Sequence, residues 1–142
     1  MKTISKFLLL AGIVLIGMGC EQHSNVAIGW ERLEGIVSNE SGDLLEGIKI
    51  EAYNDKDRTE HYYPFATVGE GIYTDKDGFY QFMRGVRYGE DIRDVYVVAT
   101  DTTGVYEAQI IKGHVDYKHI IVLGENRTQG EGIVNFVLKK KQ

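Results

Sequence analysis

Two-residue alternation broken by glycine turns runs from Leu33 to Phe82, and it leaves little room for any fold but stacked β-sheets. Leu33, Gly35 and Val37 alternate with Glu34, Ile36 and Ser38. Successive side chains of a strand point to opposite faces, so this is the pattern of a strand with one face buried. Asn39-Glu40-Ser41-Gly42-Asp43 follows as a cluster of turn formers. Ile48, Ile50 and Ala52 then alternate with Lys49, Glu51 and Tyr53, apolar toward a core and charged toward water. Residues 66–74 read as extended, Asp75-Lys76-Asp77-Gly78 as the tight turn of a hairpin, and Phe79–Met83 as the returning strand with Tyr80 and Phe82 on one face.

The pattern continues to the end of the chain. Val95–Thr100 is an unbroken β run that suits a central strand, and Asp101–Gly104 turns after it. Tyr106, Ala108 and Ile110 alternate with Glu107, Gln109 and Ile111. Lys112-Gly113-His114 reads as a turn, His119–Leu123 as a short strand and Gly124–Gly130 as a polar link. Gly132–Leu138 alternates again, with Val134, Phe136 and Leu138 together, and Lys139–Gln142 reads as a solvated basic tail. Two polar stretches, 54–64 and 84–94, read as exposed loops. Outside the N-terminal leader no segment has a helical period, so the expectation is an all-β protein, an antiparallel β-sandwich of seven to eight strands.

The leader is MKTISKFLLLAGIVLIGMGC. Lys2 and Lys6 form a positive start, and Phe7–Met18 is a run of 12 apolar or glycine residues. At about 1.5 Å per residue that run is too short for a hydrocarbon layer of about 30 Å, and it fits an export signal. After Cys20 the chain turns polar at once, Glu21-Gln22-His23-Ser24-Asn25. The arrangement resembles a bacterial lipoprotein signal, in which the cysteine is lipidated and becomes the new N-terminus. Gly19 fits the small residue before the cysteine, while Gly17 and Met18 stand where Leu and Ala or Ser are usual. The resemblance implies a signal peptide over 1–19, a lipidated Cys20 and tether over 20–29, and a β-sandwich domain over 30–142. Fatty acyl chains such as palmitate on Cys20 would fix the chain to a membrane, each buried methylene adding about 0.8 kcal/mol.

A second resemblance lies in the domain. Gly35-x-Val37, Gly42, Leu45-x-Gly47-Ile48-x-Ile50 and Thr74-Asp75-x-x-Gly78-x-Tyr80-x-Phe82 stand in an order similar to that of the carboxypeptidase regulatory-like domains, also called prealbumin-like or transthyretin-like sandwiches. This implies a prealbumin-like, Ig-like fold and an accessory module of the kind found in exported proteins of the Bacteroidetes. With its leader and Asp101-x-x-Gly104-x-Tyr106, the chain is also similar to the radical SAM-associated lipoproteins of that phylum.

Composition excludes several functions. The chain carries 16 Lys+Arg against 21 Asp+Glu, a net charge of -5. An acidic domain gains nothing from counterion release, so no nucleic-acid partner is expected. The single cysteine rules out an internal disulfide, a cysteine zinc site and an iron–sulfur cluster. Asp75-Lys76-Asp77-Gly78 has carboxylates spaced as in half a calcium loop, but Phe79-Tyr80-Gln81 follows where further ligands belong, so it reads as a turn. His114, Asp116 and His119 have zinc-ligand chemistry, yet an odd spacing puts the two histidines on opposite faces of one strand. The acidic pairs Asp55/Asp57 and Glu90/Asp91 lie in polar loops that fix no separation between them. No cofactor, metal or catalytic residue is expected.

The candidate binding loop carries Tyr62, Tyr63 and Phe65, aromatic faces beside the only proline that could stack on a sugar or anchor a partner. Asp101-Thr102-Thr103 resembles the short O-glycosylation motif of exported Bacteroidetes proteins. The sequence thus points to an exported lipoprotein of the cell envelope, held to the outer membrane through Cys20. Its expected role is that of a non-catalytic binding or structural module, with an envelope protein or glycan as partner. The alternatives are a carbohydrate-binding surface lipoprotein and, behind it, an envelope hydrolase.

Overall fold

The computed structural model describes residues 29–62, 72–86 and 94–142. Among them lie nine strands and no helix. The strands are β1 (Gly29–Asn39), β2 (Lys49–Tyr53), β3 (Ile72–Tyr73), β4 (Phe79–Val86), β5 (Asp94–Thr100), β6 (Gln109–His114), β7 (Asp116–Val122), β8 (Glu125–Ile133) and β9 (Phe136–Leu138). They form two sheets, an all-β sandwich. One sheet runs β4-β1-β8-β7 with β9 also on β1, and the other runs β3-β2-β5-β6. Neighbours pair antiparallel except at β1, where β8 and β9 both run parallel to it.

The alternating residues do what their period dictates. Leu33 and Val37 from β1, Ile50 and Ala52 from β2, Tyr80 and Phe82 from β4, and Phe136 and Leu138 from β9 meet between the sheets in one core. The continuous run in β5 lies between β2 and β6, with Val95, Val97 and Ala99 fully buried. Burying each such side chain is worth about 1.5–3 kcal/mol, which is what sets the register of each strand.

Two inner-face contacts explain the motif residues. Tyr80 Oη donates to the Val134 carbonyl at 2.5 Å, across the path of β1. A Cβ at Gly35 would lie 1.8 Å from that carbonyl oxygen and 2.8 Å from the Tyr80 hydroxyl, so only glycine fits beneath the bond. Thr74 Oγ1 donates to the Leu45 carbonyl at 2.6 Å and accepts from the Ile48 amide at 3.0 Å, tying the entry of β2 to the end of β3.

Several expectations need correction. The turn Asp75–Gly78 forms, but β3 and β4 belong to different sheets, so it crosses between sheets instead of closing a hairpin. The alternation over 106–111 does not run through one strand: Ile110 is 49% exposed while Tyr106 and Ile111 pack on the core. The reason is that residues 105–107 pair with the chain's end, and β6 starts afresh at Gln109. The residues 112–114 do not turn but complete β6, and the chain changes sheets at the buried Val115. The polar link 124–130 is in fact most of β8, and the alternating run 132–138 is split by Val134–Asn135 into the end of β8 and β9. Across that split the Asn135 side-chain oxygen accepts from the Ile36 amide at 2.9 Å, replacing the missing ladder bond. The basic tail is likewise not free: the Glu107 amide donates to Lys139 O and the Lys141 amide to Val105 O.

Candidate functional site

The expected binding loop is divided by the structure. Tyr62 is fully buried, and its amide donates to the Ala52 carbonyl as an extension of the β2 edge. Its ring lies beneath the Arg84 guanidinium, 4.6 Å from it. Tyr62 is therefore a core residue and offers no face to a glycan. Tyr63 and Phe65, like Cys20, lie outside the described residues, as do Glu90 and Asp91. Before Tyr62 the chain makes a compact turn around one carboxylate. Asp55 accepts from the Thr59 amide and hydroxyl and from the Glu60 amide at 2.8 Å. The hydrogen bonds from Glu60 and Thr59 hold the Asp55 carboxyl below its ordinary range. A carboxylate with its oxygens so used is not poised to move protons.

The largest concentration of buried polar chemistry is one that the sequence reading missed. Arg84 on β4, Glu31 on β1, Gly130 on β8 and Tyr117 on β7 stand side by side in a single row across the sheet. Glu31 is fully buried, and the Arg84 side chain is 6% exposed. Arg84 Nε donates to Glu31 Oε1 at 3.2 Å and Nη2 to Oε2 at 3.4 Å, a forked pair. Arg84 Nη1 also donates to the Tyr62 carbonyl at 3.3 Å. The Tyr117 hydroxyl donates to Glu31 Oε2 from the other side. It reaches there because the residue between them has no side chain: a Cβ at Gly130 would sit 2.9 Å from Tyr117 Cε1 and 3.0 Å from Glu31 Cγ. Burial first, and then the bond to Glu31 and its charge, push the Tyr117 hydroxyl well above its ordinary pKa, against the pull of Arg84. Tyr117 therefore remains a hydrogen-bond donor at any physiological pH.

The signal for this row was in the alternation itself. Two positions before Leu33 is Glu31, and two after Phe82 is Arg84. Extending each inner face by one step puts opposite charges into the core, opposite each other in the β1–β4 register.

The other polar groups hold turns or decorate edges. Asp101 accepts from the Thr103 amide and hydroxyl through Oδ1, and from the Val105 and Tyr106 amides through Oδ2. Burial raises its pKa, but these bonds outweigh it and the carboxyl is held low. The Thr103 hydroxyl is thus engaged, at 2.7 Å, while Thr102 is exposed. His114, from the expected zinc trio, lies 3.0 Å from Asp116 and 3.7 Å from Asp94, whose second oxygen takes Lys112 at 2.9 Å. That contact with Lys112 keeps the Asp94 carboxyl below its ordinary range. Among the described residues no group of three or more His, Cys, Asp or Glu is arranged to hold a metal ion. Two shallow grooves, of about 200 and 170 Å³, flank the C-terminal strand and are lined mainly by polar and charged residues such as Glu107, Lys139, Asn39 and Lys140. Both are smaller than ordinary ligand pockets, which start near ~300 Å³.

No protein-family model matches the chain, and no curated protein matches it in sequence. Solved structures do match in fold. 3-Chlorocatechol 1,2-dioxygenase from Rhodococcus opacus 1CP is 13% identical with a TM-score of 0.54, covering 84% of this chain and 64% of the enzyme. Catechol 1,2-dioxygenase from Pseudomonas arvilla C-1 is 13% identical with a TM-score of 0.55, covering 84% of this chain and 55% of the enzyme. Hydroxyquinol 1,2-dioxygenase from Pseudomonas putida DLL-E4 is 11% identical with a TM-score of 0.53 and is covered over 57% of its length. The chain thus spans less than two thirds of these enzymes, and at such identity the likeness concerns the fold alone. The fold they share with this chain is a sheet-rich sandwich of the immunoglobulin/transthyretin-like kind.

Proposed function

We propose that this chain is a lipid-anchored lipoprotein of the cell envelope, and that its sandwich is a non-catalytic binding or structural module of the carboxypeptidase regulatory-like type. The observation that carries the reading is Cys20, at the junction of the apolar leader with a polar tether that ends where β1 begins at Gly29. The sandwich supports it through the use made of its polar side chains. Asp55, Thr74, Tyr80 and Asp101 are engaged in holding turns and strands together. The motif shared with regulatory-like domains is explained the same way, since Gly35, Thr74 and Tyr80 lock the strands.

In this reading the lipid supplies location, the tether supplies reach, and a sheet edge or loop meets an envelope partner. Metabolic labelling with a fatty-acid analogue tests it. Label in the wild type and none in a Cys20→Ala variant is the expected result; equal label in both, or none in either, overturns the anchor.

A further inference from the structure

The β7–β8 hairpin carries the two most exposed large apolar side chains among the described residues. The described part of β1 meets β8 from Gly29 onward, opposite Thr128. Glu125 to Arg127 pair with Val122 to Ile120 of β7 and lead to the turn of the hairpin. At its tip Ile121 is 75% exposed and Leu123 is 99% exposed.

The turn itself is unusual. Val122 pairs with Glu125, leaving Leu123 and Gly124 as a two-residue loop with φ of 52° and 79°. That is the type I′ geometry, whose first place ordinarily goes to Asn, Asp or Gly. A leucine there is held in a left-handed conformation that a branched apolar side chain rarely adopts. The sequence keeps an apolar group at the apex where turn chemistry asks for a polar one, and strain of this kind marks functional positions.

Direction gives the occupant. β8 runs parallel to β1, so the hairpin tip points toward the start of β1, the same end from which the chain runs back to Cys20. Cys20 lies nine positions before Gly29, a reach of at most ~30 Å even fully extended. An acylated Cys20 therefore keeps this end of the sandwich within a few tens of ångströms of the lipid, and among the described residues the tip presents exposed Ile121 and Leu123 at that end. Lys118 and Arg127 flank the apolar residues with long stems that suit the headgroup layer, and Arg127 donates to Glu125 at 2.8 Å, so the acid beside the turn is paired.

We propose that the β7–β8 tip, through Ile121 and Leu123, is a second membrane contact that inserts into the lipid interface and fixes the orientation of the anchored sandwich. The proposal rests on the anchor reading, and its test separates the two. The full chain is produced with its leader, purified from membranes and placed in phosphatidylethanolamine/phosphatidylglycerol vesicles. Single cysteines are introduced as Leu123→Cys, and as Ser41→Cys in the turn at the far end of β1. Each is labelled with an environment-sensitive thiol dye, and nitroxide-bearing lipids are added. The expected result is blue-shifted, lipid-quenched emission at position 123 and water-like, unquenched emission at position 41. Water-like emission at 123 overturns the proposal. So does a blue shift that nitroxide lipids leave unquenched, since protein and not lipid would then cover the tip. The wild-type chain reports on the anchor separately: a lipidated Cys20 takes no dye. Labelling of the wild type sinks the anchor reading, while the difference between the Leu123→Cys and wild-type signals still decides the hairpin.

Discussion

Replacing Arg84 by methionine should unfold more of this protein than any surface change, and the reason is the position of Glu31. The Glu31 carboxylate is fully out of water and receives two bonds from the Arg84 guanidinium, at 3.2 and 3.4 Å. Removing one partner of a buried ion pair typically costs about 3–5 kcal/mol, because the other charge is left in a low dielectric. Arg84 also bonds the Tyr62 carbonyl and covers its ring, so the loss falls at the upper part of that range. Against a total stability of about 5–15 kcal/mol this leaves the variant marginal. Tyr117→Phe is the milder probe, taking one hydrogen bond from a charged acceptor at about 1.5–3 kcal/mol. The double variant Glu31→Leu/Arg84→Met removes both charges and should be more stable than Arg84→Met alone by about 2 kcal/mol or more. Urea unfolding followed by the single tryptophan, Trp30, gives each value. A cost under about 0.5 kcal/mol for Arg84→Met, or a double variant at the sum of the two singles, would refute the reasoning.

Three further outcomes follow from the same contacts. Tyr80→Phe should cost about 1–3 kcal/mol in the same urea experiment, since the buried Val134 carbonyl loses its donor, and no change in midpoint would count against that bond. Asp101, with its carboxyl held low by hydrogen bonds, contributes stability that is fully present above the ordinary carboxylate pKa of about 3.9 and fades as pH falls through its lower folded value. The stability gap between wild type and Asp101→Asn should therefore narrow below about pH 4, and a gap constant from pH 7 to pH 2 would contradict the assignment. Leu123→Asn should raise stability by about 0.5–1 kcal/mol, because Asn accepts the left-handed apex more readily, while weakening the tip's hold on lipid; a loss of stability would argue that Leu123 is packed.

Much of this fold was legible because burial enforces the period of a strand. Leu33, Val37, Ile50, Tyr80, Phe82 and Phe136 could be assigned to the core from alternation alone. What failed did so where a neighbour, and not the local pattern, decides the structure. Residues 124–130 look like a link because Asn126, Arg127, Thr128 and Gln129 are polar, yet β1 and β7 on either side recruit them as a strand. Tyr106 and Ile111 pack inward although five positions apart, because residues 105–107 are claimed by the chain's end and β6 begins at Gln109. Tyr62 looked like a loop aromatic, but it is buried, with Arg84, distant in sequence, over its ring. The Glu31–Arg84 pair followed the alternation, but charged residues at core positions run against composition, so the period was stopped one step short on each strand. The anchor belongs to a different level, since it is read from the leader and Cys20 and not from the sandwich.

The intact mass of the protein extracted from membranes addresses that anchor most directly. The account predicts a mature chain that starts at Cys20, lacks residues 1–19 and carries the added mass of a diacylglyceryl group on the cysteine. A chain that begins elsewhere, or one that begins at Cys20 with a free thiol, would contradict it.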